Sequence, residues 1–151
     1  MRRKDRELAE ARAKAILQKG SYGILSTIGA DGFPYGVPIS YAFEENQMMF
    51  HCAKDVGKKL ENLRFNSKVS FTVVGETQVL PDKFATNYES VIVQGVVVFL
   101  TGESKKAALS AIVRKYSADY LAEGEKYIQK AAGAVDVGVI DIKTITGKAR
   151  Y

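Results

Sequence analysis

The spacing of apolar residues changes along this chain, and each change marks a different kind of element. Residues 5–19 are rich in Ala, Leu, Glu, Arg and Lys, the good helix formers. Ala9, Ala13, Ile16 and Leu17 form one narrow stripe there, and Gly20 follows as a stop. So narrow a stripe predicts a helix lying over the rest of the molecule rather than building its core. From Ser21 short β-rich runs take over, with strands over 22–28, 35–43 and 48–53 separated by turns at 29–32 and 44–47. Connections this short favour antiparallel hairpins. A helix over 57–65 carries Val56, Leu60 and Leu63 on one face, and strands over 68–74 and 91–100 follow. Two more helices cover 103–116, with Leu109, Ile112, Val113 and Tyr116 in phase, and 119–131, with Tyr120, Tyr127, Ile128 and Ala131. A last strand runs over 134–145.

Six strands in mostly antiparallel order, with helices inserted late, predict an α+β fold on a small barrel. The strand–helix alternation and the G-x-G-x-x-G turn of a dinucleotide-binding domain are both missing, as is a phosphate-binding P-loop. At 16.6 kDa the expectation is one domain over 1–151, with 1–20 as an N-terminal helix packing on the barrel.

Composition narrows the chemistry. The chain has one histidine, one cysteine and no tryptophan. A zinc site needs three or four protein ligands, so no metal site is expected. A single cysteine forbids an intrachain disulfide. The net charge of +5 is concentrated in residues 1–19, which hold seven Lys/Arg against three Asp/Glu; the remainder holds fifteen against fourteen. Basic residues interleaved with acids on a terminal helix read as a solvated face, so nucleic-acid binding is not expected. No apolar run is long enough to span a bilayer and no apolar leader segment opens the chain, so neither a membrane nor export is expected, and the expected location is cytoplasmic.

Four stretches could carry chemistry. Pro38 interrupts the hydrogen-bond ladder inside 35–41, which marks an edge strand or bulge, or a strand bordering a ligand that Gly36 lets approach. Lys58 and Lys59 fall in the first turn of a helix, where cations oppose the helix dipole. Either they are simply solvated, or a phosphate sits among them and the backbone N–H groups. His51 and Cys52 end a strand and face opposite sides. The histidine reads as a hydrogen-bonded structural residue or a catalyst, and the cysteine most simply as a small buried apolar residue, with a nucleophile as the alternative. No G-x-S-x-G elbow supports a serine hydrolase. Asn87 to Ser90 read as a turn, or as polar residues reaching the same pocket from another strand or subunit.

The segments MRRKDRE, YGILSTIGADGFPYGVPISY, MMFHCAKDVGKKLENLRFNSKVSFTVVG and NYESVIVQGVVV together resemble the flavin-binding split-barrel superfamily that includes pyridoxamine 5'-phosphate oxidase, and most of all its nitroimidazole-resistance type. The resemblance implies a six-stranded, mostly antiparallel split β-barrel with flanking helices. It also implies FMN, or FAD, held between the two subunits of a homodimer. By position, Val37, Pro38, Ile39, Ser40 and Tyr41 match the strand whose backbone lines the flavin ring. His51 and Cys52 match the end of the next strand bordering it, and Lys58 and Lys59 match the basic pair that holds the phosphate. Ser90 matches a polar flavin-contacting position where the oxidase has a glutamine. His51 also matches the histidine of the Phe-His-Cys-Ala stretch of the nitroimidazole-resistance type, a residue with a suggested functional role. The oxidase's C-terminal Trp and His-Arg substrate contacts have no counterpart here, which argues against vitamin B6 oxidation. The function implied is NAD(P)H-dependent, flavin-mediated reduction of a small oxidised or nitroaromatic molecule. The alternatives are non-catalytic storage of a flavin, or of haem through His51, and a structural dimer with a vestigial pocket.

Overall fold

A computed structural model describes residues 3–151; Met1 and Arg2 of the matched amino-terminal segment lie outside the described residues. Seven strands form one antiparallel sheet: β1 (Gly23–Ile28), β2 (Pro34–Ile39), β3 (Tyr41–Glu44), β4 (Gln47–Ala53), β5 (Lys68–Leu80), β6 (Ala85–Phe99) and β7 (Val135–Arg150), in the order β2-β1-β5-β6-β7-β4-β3. The helices are α1 (Glu10–Lys19), α2 (Lys58–Phe65), α3 (Gly102–Tyr116) and α4 (Leu121–Ala131).

The expectation of six strands is corrected to seven. What reads as one strand over 35–43 divides at Ser40: β2 pairs with β1, whereas β3 pairs with β4 at the far end of the sheet. The two edge strands are therefore joined by one residue. A flat sheet of seven strands would hold them roughly 29 Å apart at the usual strand spacing. The sheet must curl until its ends meet.

Inside the curl lie Leu25, Phe50, Phe71, Val73, Val91, Val93 and Ile140, all essentially inaccessible. Each such side chain contributes roughly 1.5–3 kcal/mol through burial. Ala13, Ile16 and Leu17 of α1 belong to this same cluster, which corrects the expectation of a helix merely lying over it. Ala9 is the residue before α1 and is exposed, so it drops out of the stripe. Gly20, which ends α1, has an ordinary negative φ. A side chain there would meet Val73 and the Tyr41 hydroxyl at 2.6 and 2.7 Å, so close approach, rather than a left-handed cap, requires the glycine.

Outside the curl, α3 and α4 cover β3, β4 and β7 through a second cluster that includes Ala42, Met49, Val137, Leu109, Ile112 and Ile128. Tyr120 and Tyr127, in phase with Ile128 in the sequence, are exposed. The strands β5, β6 and β7 also extend beyond the apolar runs that announce them. Thr77–Leu80 pair with Ala85–Tyr88 in an arm whose tip carries Phe84, 98% exposed and at φ 46°. Asn87 to Ser90, read as a turn or pocket mouth, are strand residues within β6. The turn at 44–47 is as expected, with Glu45 and Asn46 at positive φ, the signature of a tight hairpin.

Tyr41 ties the seam together. It is fully buried, its hydroxyl donates to the Leu17 carbonyl of α1 at 2.6 Å, and its ring meets Phe71 edge-on at 5.0 Å. Its backbone N–H donates to the Tyr116 hydroxyl of α3 at 3.0 Å, and that hydroxyl lies 2.6 Å from the Ser21 carbonyl. Residues from α1, the connection that follows it, β5 and α3 thus converge where the sheet closes. Replacing Tyr41 with Phe should cost about 1–2 kcal/mol, because the Leu17 carbonyl loses its buried donor. Urea unfolding with an unchanged m-value would measure this, and an unaltered midpoint would contradict it.

Candidate functional site

The site predicted from the sequence centres on the loop between β4 and α2. Gly57 precedes the helix at φ 98°, a backbone state that L side chains rarely adopt, and among the described residues no side chain caps the helix. The first-turn N–H groups of α2 therefore lack the usual side-chain acceptor, and Lys58 and Lys59 stand beside them. Two ties fix the start of α2 against the β1–β2 hairpin. Asn62, 1% exposed, donates to the Thr27 hydroxyl at 3.0 Å, and the Lys58 ammonium pairs with Asp31 at 2.7 Å. Asp31 in turn accepts the Phe33 N–H at 3.1 Å, and together Lys58 and that N–H hold its carboxyl below the usual range. Lys59 is half-buried and makes no ion pair among the described residues.

Lys59 is close enough to influence the pair that ends β4. His51 and Cys52 face opposite sides, as alternation requires: His51 stands opposite Val137 under the helices, and Cys52 opposite Asp136. Burial and then the Lys59 charge push the His51 imidazole below its ordinary value, which favours the neutral ring. Burial raises the Cys52 thiol, against the opposing pull of Lys59, so it is not poised as a nucleophile. His51 Nδ1 is shut off from solvent and has no hydrogen-bond partner among the described residues.

The segment 37–41 is divided by the seam. β2 is an edge strand, so Pro38, facing Ile24, removes no hydrogen bond from the sheet interior. Pro38 and Ser40 are exposed, Val37 and Ile39 pack partly on the core, and Tyr41 is sealed inside. Both backbone polar groups of Tyr41 lie within hydrogen-bond reach of the Tyr116 hydroxyl, so they are not free for a ligand. Ser90 lies opposite Val74 and Lys148 on the sheet face that carries Pro38, but three strands from β2, roughly 14 Å at the usual spacing. The chain therefore brings His51, Cys52 and Lys59 together and leaves Ser90 apart.

Sequence reasoning did not find Asp31 as the Lys58 partner, 27 residues upstream, because spacing carries no signal for a pair across two elements. It also missed Lys115. That ammonium is buried without a hydrogen-bond partner among the described residues, 3.7 Å from the Tyr41 ring centroid, and burial pushes it down to about 8. The ring face offsets part of the cost of burying the charge.

The curled antiparallel sheet, with its ends joined at Ser40 and helices closing it, defines a flavin-binding split barrel of the pyridoxamine 5'-phosphate oxidase kind. A family model described as pyridoxamine 5'-phosphate oxidase matches residues 9–149, and the chain belongs to that family. A search of curated protein sequences finds no match. Among solved structures, the chain is similar to a candidate 5-nitroimidazole antibiotic resistance protein from Bacteroides thetaiotaomicron, with a TM-score of 0.82 and 24% identity over 95% of this chain and 86% of that one. A FAD-binding protein from Mesorhizobium loti superposes with a TM-score of 0.67 and 23% identity over 97% and 98% of the two chains. A FAD and haem binding protein from Mycobacterium smegmatis gives 0.81 and 16% over 93% and 71%. At these identities the superpositions establish the shared fold. Among the described residues, no helix is long and apolar enough to cross a membrane.

The neutral imidazole is the form this fold prefers at His51. Stability should therefore be fully present above the ordinary histidine value of 6.5 and fall as pH drops below it towards the depressed value. Urea unfolding between about pH 7 and pH 5 should show a loss that His51→Gln reduces. Identical pH slopes in the two proteins would contradict a depressed imidazole.

Proposed function

We propose that the protein is a flavin-dependent reductase that binds FMN, or alternatively FAD, and passes electrons from NAD(P)H to a small oxidised or nitroaromatic molecule. The observation that carries this reading is the uncapped start of α2, with Lys58 and Lys59 beside it and His51 and Cys52 within reach of the Lys59 charge. First-turn N–H groups and two ammoniums suit a phosphate, so the residues present fit the anionic end of a flavin. A bound flavin would supply the two-electron chemistry that no side chain here can perform. Lys59 would bind the phosphate directly, and Lys58 would do so only by sharing its ammonium with Asp31. The exposed backbone at Pro38 and Ser40 would border the ring. His51, held neutral, would order the acceptor by donating a hydrogen bond from its accessible nitrogen.

The distance of Ser90 supports a second copy completing the site. Two rows cross β1, β5, β6 and β7 without a charged residue: Ile24, Thr72, Ile92 and Thr146, then Ser26, Ser70, Gln94 and Thr144. Ile92, Gln94, Thr144 and Thr146 are exposed, and Val74 beside them is 63% exposed. An exposed, uncharged sheet face of this kind suits a homodimer. A storage role for flavin or haem is the second reading, favoured by the solvent access of the lone histidine and by the dual ligands of the Mycobacterium smegmatis relative.

Adding NADPH or NADH anaerobically to the flavin-loaded protein should bleach the flavin, and a nitroaromatic should restore its colour. Bleaching by neither nucleotide would favour storage. Lys59→Ala should weaken flavin binding by about 10- to 100-fold, the loss of one charge-assisted hydrogen bond, with Lys58→Ala weaker in effect. Equal affinity in wild type and Lys59→Ala would displace the phosphate from α2. Ile92→Glu should convert a dimer to a monomer in sedimentation; a dimer that survives it would move the interface elsewhere.

A further inference from the structure

Between the sheet and the helices α3 and α4 lies a cavity of about 210 Å³ in which His51 forms one wall. Neither Lys58 nor Lys59 lines it, and its residues all belong to one protomer. The other walls are apolar, chiefly Leu109 and Ile112 from α3, Ile128 and Ala131 from α4, and Val135 from β7. Tyr127, 70% exposed, stands at the mouth. A dry apolar cavity of about 150 Å³ holds benzene, whereas drug-sized ligands occupy about 300 Å³ or more. A single aromatic ring with one small substituent therefore fits, and the three fused rings of a flavin do not.

The chemistry of that substituent follows from His51. Nδ1 is sealed off and unpartnered, whereas Nε2 is not among the sealed atoms. A buried N–H without an acceptor is rarer in folded proteins than an acceptor left under-satisfied, so the proton of the neutral ring belongs on Nε2. The accessible nitrogen is then a donor in otherwise apolar surroundings. We propose that this cavity binds a single-ring aromatic molecule bearing one hydrogen-bond acceptor, with the ring between α3 and α4 and the acceptor on the His51 Nε2–H.

With one histidine in the chain, imidazole nitrogen NMR reports on this residue alone. The free protein should show the Nε2-protonated tautomer. Nitrobenzene should shift the Nε2 resonance saturably and bind about three- to tenfold more tightly than toluene, the worth of one ordinary hydrogen bond. Ala131→Leu, which fills the cavity, should weaken both probes by about tenfold or more while circular dichroism confirms the fold. A proton on Nδ1, no saturable shift, equal affinity for the two probes, or binding indifferent to Ala131→Leu in a folded protein would each overturn the site. If that variant does not fold, the wild-type tautomer and probe preference decide the matter. These measurements need no bound flavin, so their outcome is separate from that of the reductase reading.

Discussion

The single residue between β2 and β3 is the constraint on which the rest of the structure depends. Those strands are the two edges of a seven-stranded sheet, and Ser40 alone connects them. Closure gives the apolar faces of β1, β4, β5, β6 and β7 a common interior, which α1 completes with Ile16 and Leu17. The seam is expensive in exposed backbone, and Tyr41 and Tyr116 supply the hydrogen bonds that hold it. Lys115, resting on the Tyr41 ring from the same helix as Tyr116, adds a charged contact at that junction.

Closure also sets where chemistry can occur. It leaves β2 as an edge with exposed backbone at Pro38 and Ser40, and it turns β4 so that His51 faces α3 and α4 while Cys52 faces the other way. The loop after β4 then delivers α2 with its first turn uncapped, anchored to the β1–β2 hairpin by Asn62 and Asp31. The outcome is a basic, donor-rich corner beside the one histidine, and an uncharged sheet face that starts on β1, next to β2, and runs across β5 and β6 to β7.

Much of this was legible in the amino-acid sequence because periodicity reports on faces. Leu109 and Ile112 are buried as their helical spacing implies, and His51 and Cys52 oppose each other as strand alternation implies. Pro38 signalled an edge strand correctly. The break at Ser40 was hidden, since a strand that changes partner at a barrel corner keeps its β-rich composition on both sides. The arm around Thr77–Tyr88 was hidden for another reason: its residues pair along the backbone while both faces are largely exposed, so no apolar run marks them. The depth of α1 was underestimated because three apolar residues suffice to plug a small barrel. Tertiary pairs such as Lys58–Asp31 and Lys115–Tyr41 leave no trace in local spacing.

The central proposal is that this chain holds a flavin by its phosphate end at the basic corner. The most direct measurement is the visible absorbance spectrum of the purified protein, followed by mass identification of whatever denaturation releases. The account predicts flavin bands, present as isolated or gained on incubation with FMN or FAD, and a released mass matching one of the two. A colourless protein that takes up neither would contradict it.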